Sequence, residues 1–367
     1  MKKTLISMIS LVVLLSLLTG CAANSPKSSE TDDLKVILLI PGTLGDKSFF
    51  DSANAGLELI EDEFGVVTKV IEMGTDNTKF TAILEDVIDE GWDIIITGGI
   101  NISQPLQEVA EEYPEQKFIL FDETVEYDDG QNSNIYCMTY RSYEGGYLAG
   151  ALAGLVSSSE DLPKSNDNNI IGFAGGFDIP LINDWLVGYI QGASSVNPDI
   201  KVGVGYMNSF TDAAKGKEIG IALYNSGADV VIQAAGGAGM GVLDAAKEKG
   251  AYAIGTDSDQ SALFANDEEK ANAILSSVMK RVDISIKMAI EEYINGTLEF
   301  GTCKSYGVAE KCIELADNEW YQNNVPTDIR ETMEEITDKI AVGEIKIDSA
   351  FDMSDDEVSE IKKRVKP

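Results

Sequence analysis

Short apolar runs rich in β-branched residues recur along the chain, separated by stretches with helical spacing. Leu34 to Ile40 (LKVILLI), Val66 to Met73, Asp93 to Thr97, Lys117 to Phe121 and Ile135 to Thr139 read as buried strands. After Pro41-Gly42, a turn with the sequence GTLGDKSFFDSANAG leads to a predicted helix, LELIEDEFG. Asn77 to Glu90 and Ser103 to Glu112 carry the next amphipathic helices. Glu144 to Leu155 (EGGYLAGALAGL) is a small-residue helix, and a polar break containing SSSEDLPKSNDNN follows. The rhythm then restarts: strand Ile170–Ala174, helix Ile182–Val196, strand Lys201–Tyr206, helix Ala213–Asn225 and strand Asp229–Gln233. The glycine-rich turn AAGGAGMG comes next, then a helix VLDAAKEKG closed by Gly250, and strand Ala251–Gly255. Strands alternating with helices through short connections predict an α/β fold with parallel, doubly wound sheets, here repeated as two lobes.

In open parallel sheets, ligands sit outside the carboxyl ends of the strands. In the first lobe those ends carry Gly42 to Phe50, Gly98-Gly99 and Asp122; in the second they carry Gly175 to Asp178, Asn208 to Asp212, Gly236 to Gly239 and Asp257. Two such faces opposed across a hinge make a cleft. Phe49, Phe50 and Phe210 are turn aromatics that either stack a flat ring in that cleft or plug a lobe interior. Asp46, Asp122 and Asp257 can accept paired hydrogen bonds from vicinal hydroxyls or an N–H edge, or else cap helices. Asp212, followed by a helix, reads as a cap. Lys280, in SSVMKRVD, reads as a cation within an apolar helix, turned either to a ligand or to solvent. The spacing Gly237-x-Gly239-x-Gly241 is not a dinucleotide fingerprint, and no GK[ST] follows it, so a phosphate loop is not expected.

The ends and the charge add a compartment. Lys2 and Lys3 precede a short apolar stretch, Leu5 to Leu18, and then Leu18-Thr19-Gly20-Cys21. This is the pattern of a lipoprotein signal peptide over residues 1–20, with Cys21 as the lipidated first mature residue. Residues 22–33, rich in Ser, Lys and acid, read as a flexible tether. The formal net charge is −34; removing the two signal lysines leaves 26 basic against 62 acidic residues, or −36. That excludes nucleic acid as a partner, since phosphate binding needs basic patches. The absence of histidine excludes Ser-His-Asp and Cys-His catalysis and His-ligated metal sites. Asp257, Asp259, Ser261 and Glu268 stand at calcium-loop spacing, but Ala262 replaces the loop's glycine, so neither metal nor cofactor is expected. Cys303 and Cys312 are close enough in sequence to form a disulfide, whereas Cys137 reads as a buried free thiol. Nothing specifies a nucleophile and its base, so no catalytic residue is expected.

Lipobox, PGTLGDKSFFDSANAG, FILFDE, YEGGYLAGALAG, IGFAGGFDIPLI, NSFTDAAKGKE, GADVVIQAAGGAGMGV, YAIGTDSDQ and SSVMKRVD resemble, in order and spacing, the basic membrane protein family. These are the purine nucleoside receptor type substrate-binding lipoproteins of ABC transporters. The resemblance covers essentially the whole mature chain. It implies a periplasmic-binding-protein-like fold of two lobes around a hinged ligand cleft. It places residues 34–141 plus about 261–301 in the N-terminal lobe, and 142–260 plus about 302–367 in the C-terminal lobe. It also implies a nucleoside ligand, an ABC permease and ATPase as partners, and attachment to the extracytoplasmic membrane face through Cys21. By position, Phe49 or Phe50 and Phe210 match the stacking region, and Asp122 the base-edge acid. Asp257, Lys280 and Gly236 or Gly237 match the ribose contacts, and Asp46 the first turn. The family usually has Phe-Asn in that turn; here Phe50 occupies the asparagine position, and Asn54 stands where an aromatic is common. Four readings fit the pattern: delivery of a nucleoside to an importer, ligand sensing from a membrane tether, binding of a different small ring-containing solute, and, as the poorest fit, nucleoside processing.

Overall fold

The computed structural model describes residues 34–367, and the expected signal peptide, Cys21 and tether lie outside the described residues. The chain begins with β1 (Lys35–Ile40), α1 (Phe49–Phe64), β2 (Val67–Glu72), α2 (Phe80–Asp89), β3 (Ile94–Gly98), α3 (Ser103–Glu112), β4 (Lys117–Phe121) and β5 (Ile135–Tyr140). It continues through α4 (Ser142–Ser157), β6 (Ile170–Gly175), α5 (Pro180–Val196), β7 (Lys201–Tyr206), α6 (Ala213–Asn225), β8 (Val230–Ala234), α7 (Gly236–Lys249) and β9 (Tyr252–Thr256). It ends with β10 (Ile274–Lys280), α8 (Val282–Ile294), β11 (Thr302–Tyr306), β12 (Ile313–Leu315), α9 (Thr327–Ala341) and α10 (Asp355–Val365). Among the described residues no helix is long and apolar enough to cross a membrane.

Two six-stranded sheets result, in the orders β11-β5-β4-β3-β1-β2 and β12-β10-β9-β8-β6-β7. Every pairing is parallel except β12 against β10. Each lobe is thus a doubly wound α/β unit, as the alternation of runs predicts. The interior strands are apolar on both faces because helices cover both sides. Ile37, Leu39, Ile95, Phe118, Leu120 and Cys137 form one face of the first core; Val231, Ala253 and Ile274 meet α6 and α7 in the second. The α4–α5 contact is unusually close. A Cβ on Gly150 would lie 2.0 Å from the Tyr189 carbonyl oxygen, and one on Gly188 2.0 Å from that of Tyr143. The EGGYLAGALAG glycines therefore let two helical backbones touch.

Three segments cross between the lobes: Tyr140-Arg141, Lys280-Arg281, and the stretch from Tyr306 to Ile313. Arg141 N donates to Tyr306 O at 2.7 Å and Arg281 N to Cys312 O at 2.8 Å, so each crossing is tied to the third. Arg141 also pairs with Glu144 (2.6 Å) and with Glu310, and Arg281 with Asp283 (2.8 Å) and Glu314 (2.7 Å).

This topology corrects the boundaries expected near residues 261 and 302. β10 hydrogen-bonds to β9 and stays in the second lobe, while β11 pairs with β5 and belongs to the first. Lys280 accordingly ends a buried strand rather than riding on an apolar helix; the run ILSSVMK is apolar because β10 lies inside its sheet. Two helices also start earlier than expected. α1 begins at Phe49 rather than beyond Gly56, and α7 at Gly236, so most of AAGGAGMG is helical. A Cβ on Gly241 would sit 1.9 Å from Ala213 O, and the glycines of α7 serve close packing on α6. The Cys303–Cys312 bridge that their spacing allows is not formed. Both are free thiols, Cys303 in β11 and Cys312 within the third crossing.

Candidate functional site

The carboxyl ends of β1, β3 and β4 face those of β6, β8, β9 and β10, and the sequence-derived residues collect there. The first turn is braced by two carboxylates. Asp46 accepts backbone N–H groups of Ser48 (3.0 Å), Phe50 (2.9 Å) and Asp51 (3.1 Å). Asp51 in return accepts from Gly45 (2.7 Å) and Lys47 (2.9 Å). Asp46 thus satisfies the free N–H groups that open α1. Burial pushes its carboxyl up to about 6, against the pull of those donors. Its side chain also faces the second lobe, 3.8 Å from where a Cβ on Gly237 would stand.

Asp122 and Asp257 occupy equivalent places, each immediately after the fourth strand of its lobe. Both have left-handed backbone conformations (φ 60° and 68°), and both are buried. Their N–H groups bond the neighbouring strand in the same way, Asp122 to Met138 O (2.7 Å) and Asp257 to Val278 O (2.8 Å). A left-handed aspartate turns the chain sharply out of the sheet and presents its carboxylate at the strand end. Lys280 completes the set. Its ammonium, with the side chain 6% exposed, lies 2.7 Å from Asp122 Oδ2 and 3.8 Å from Asp257 Oδ1. Burial disfavours this ammonium, but the two carboxylates outweigh it and hold the pKa above the ordinary lysine value. Burial raises the Asp122 carboxyl, with Lys280 opposing.

Aromatic rings surround the cation. Lys280 Nζ lies 4.6 Å from the centre of the Phe49 ring and 5.5 Å from that of Tyr140. Phe49 packs on Phe121 (5.3 Å between ring centres) and on Phe50 (5.1 Å). Phe50 turns back over its own turn, with its ring 2.6 Å from where a Gly42 Cβ would be. Phe210 lies over Gly176, beside Phe177 (4.9 Å), and its carbonyl accepts Ala238 N at 3.0 Å near Gly236 and Gly237. Gly236 has φ 54°, which lets α7 start hard against that carbonyl.

The lobes meet through four polar links: Lys280 to Asp122, Ser48 Oγ to Asp257 Oδ2 (2.5 Å), Ser258 Oγ to Ser48 O (3.1 Å), and Gln260 Nε2 to Lys47 O (3.2 Å). Ser48 and Tyr140 are the site residues that sequence reasoning missed. Ser48 stood in plain view beside Phe49. Tyr140 holds the position of Lys280 in the internal repeat, each followed by an arginine at a crossing. Asp212 is a cap, bonded to the N–H groups of Ala214 and Lys215. Asp259 likewise caps Gln260–Leu263 and holds Asn318 Nδ2 at 2.7 Å, and among the described residues no acidic cluster is placed to hold a metal ion.

Residues 34–348 match the Bmp family, described as "ABC transporter substrate-binding protein PnrA-like". The chain is 31% identical to Basic membrane protein A1 of Borrelia garinii, over 91% of this chain and 94% of the relative. It is 29% identical to the ABC transporter nucleoside-binding protein BmpA of Lactococcus lactis, over 95% of this chain and all of the relative. The fold is similar to that of a solute-binding protein of an ABC transporter system from Aeropyrum pernix, with a TM-score of 0.77 and 24% identity over 90% of this chain and 97% of that one.

Proposed function

Given that this chain belongs to the Bmp family of PnrA-like ABC transporter substrate-binding proteins, we propose that it captures a purine nucleoside between its lobes and delivers it to an ABC permease and ATPase. It is an extracytoplasmic solute-binding protein and not an enzyme. One observation carries the nucleoside reading: Asp257, beside Lys280, already accepts a hydroxyl from the facing lobe, that of Ser48 at 2.5 Å. A ribose hydroxyl entering the cleft takes the same contact. Asp122 accepts an N–H from Lys280 in this arrangement, as it would from the edge of a guanine or hypoxanthine base. Phe49 and Phe210 supply ring faces from opposite lobes, and Gly236 and Gly237 leave the backbone open to close approach. Asp46 acts on the ligand indirectly, by fixing the turn that carries Ser48 and Phe49. Phe50, folded over Gly42, shapes that turn from behind.

A nucleotide fits poorly. Asp46, Asp122 and Asp257 converge on a site with one buried lysine, and a phosphate dianion adds like charge without a cradle of N–H donors. The relative named as nucleoside-binding supports the ligand class. The lipobox supports anchoring through Cys21 on the outer membrane face. The test is to purify the protein without denaturation, release its contents with acid, and identify them by mass spectrometry. An intact purine nucleoside is the expected product. A sugar, peptide or nucleotide, or free base released in proportion to protein, would overturn the reading.

A further inference from the structure

β5 and β11 pair in parallel with Cys137 directly opposite Cys303. Register partners in adjacent strands point to the same face, with Cα atoms about 5 Å apart, inside the range that disulfides span. The two environments differ. Cys137 is fully buried in the first lobe's core, packed with Val125 and Ile135 near Tyr127. Cys303 is exposed, second in an edge strand that follows Gly301, with its Sγ 4.0 Å from Thr139 Oγ1. The third thiol among the described residues, Cys312, lies buried in the third crossing and faces Glu310 O at 3.7 Å.

We infer that Cys137 and Cys303 form a reversible disulfide across the β5–β11 pair. The chemistry divides the labour between them. The neighbouring Cys137 thiol draws the exposed Cys303 thiol below its ordinary value, with Thr124 and Thr139 adding to the effect, so Cys303 is the readier of the two to ionise. The same contact, together with burial, pushes the Cys137 thiol up. Cys303 is the attacking sulfur and Cys137 the resolving one. With a low-molecular-weight disulfide as oxidant, the Cys303 thiolate attacks one oxidant sulfur and expels the other as a thiolate. Cys137 then attacks the Cys303 sulfur of the mixed disulfide, gives its proton to the departing thiolate, and closes the bridge. Two protein thiols are oxidised and one small disulfide becomes two thiols. Strand neighbours hold their Cβ atoms slightly farther apart than a relaxed disulfide prefers, so the edge strand must shift inward and the bond stays easily reduced. An extracytoplasmic protein meets the oxidising conditions this needs. The bridge lies wholly within the first lobe, on the two strands that feed the Arg141 and Gly307 crossings, so it ties those strands without locking the cleft.

The experiment treats the reduced full-length protein with oxidised glutathione, quenches with acid, and maps peptides without reduction. The expected result is a linked pair of peptides containing Cys137 and Cys303, with two thiols lost per chain. Cys312→Ser leaves the link intact. Cys137→Ser leaves glutathione stably attached to Cys303, a readout that also shows the variant remains reactive. The inference is overturned if the unaltered protein retains glutathione on Cys303 with Cys137 free, or if Cys303 links instead to Cys312.

Discussion

Replacing Lys280 with methionine tests the polar centre of the cleft most sharply. The substitution keeps a long apolar stem beside Phe49 and Tyr140 but removes the cation that Asp122 and Asp257 share. Breaking one side of a buried ion pair costs about 3–5 kcal/mol when the orphaned charge has no escape. Here it has one, because burial already raises the Asp122 carboxyl and protonation relieves the charge. A loss of about 3 kcal/mol near pH 7.5 is therefore expected, or roughly 4 °C in melting temperature for a chain of this size. The pH dependence gives the reasoning its sign. Without the cation the folded Asp122 pKa rises further above its unfolded value. The folded state then holds a proton that the unfolded state releases, and stability is lost as pH rises through the folded pKa. The variant's deficit should shrink from pH 7.5 towards pH 5. The parent protein gains nothing over that range from Lys280, whose raised pKa keeps it charged throughout. Loss of the charged donor should also weaken ligand binding by about 1.5–3 kcal/mol, roughly ten- to a hundredfold. Thermal melts from pH 5 to 8 with calorimetry at pH 7.5 measure both. A variant that melts with the parent at every pH and binds ligand equally well would refute the argument.

Asp46 titrates in the same sense: its folded carboxyl is pushed up from 3.8 to about 6, so it favours the unfolded state above pH 6 and not below pH 4. Asp46→Asn keeps an acceptor for the N–H groups of α1, and its stability relative to the parent should rise by about 2 kcal/mol between pH 4.5 and 8 in guanidinium melts; a flat difference would contradict the shift. Gly150→Ala places a methyl where Tyr189 O stands and should cost at least 1–3 kcal/mol by chemical denaturation, with no change in ligand preference. Phe50→Asn, with the ring folded over Gly42, should lower stability by about 1–3 kcal/mol and leave the ranking of bases untouched; an altered ranking with an unaltered melt would put that ring in the ligand's path.

Much of the fold was legible because interior parallel strands are written as short apolar runs, and those runs were found in both lobes. What escaped depends on contacts between distant segments. The start of α1 was hidden because its N-cap, Ser48, makes no side-chain cap bond; the carboxylate that holds the first turn, Asp46, stands two residues earlier and accepts from Ser48, Phe50 and Asp51 N–H. SSVMKRVD reads as a helix face as readily as a strand end, and only pairing with β9 and β12 decides it. The same ambiguity displaced the lobe boundaries. The neighbourhood of Cys137 and Cys303 rests on strand register across a wide sequence separation, which spacing along the chain does not encode. The strand-end rule, by contrast, gathered Asp122, Asp257, Phe49 and Gly236 at one place before any coordinates.

The central claim is that this cleft takes a nucleoside and refuses its phosphate ester. Isothermal titration of the full-length protein, stripped of bound small molecules by dialysis from mild denaturant and refolded, tests it directly with guanosine, inosine, adenosine, uridine and their 5′-monophosphates. The account predicts saturable one-to-one binding of a purine nucleoside, with hypoxanthine and guanine favoured and the matching monophosphate far weaker. Tight binding of a monophosphate, with none of the nucleoside, would contradict it.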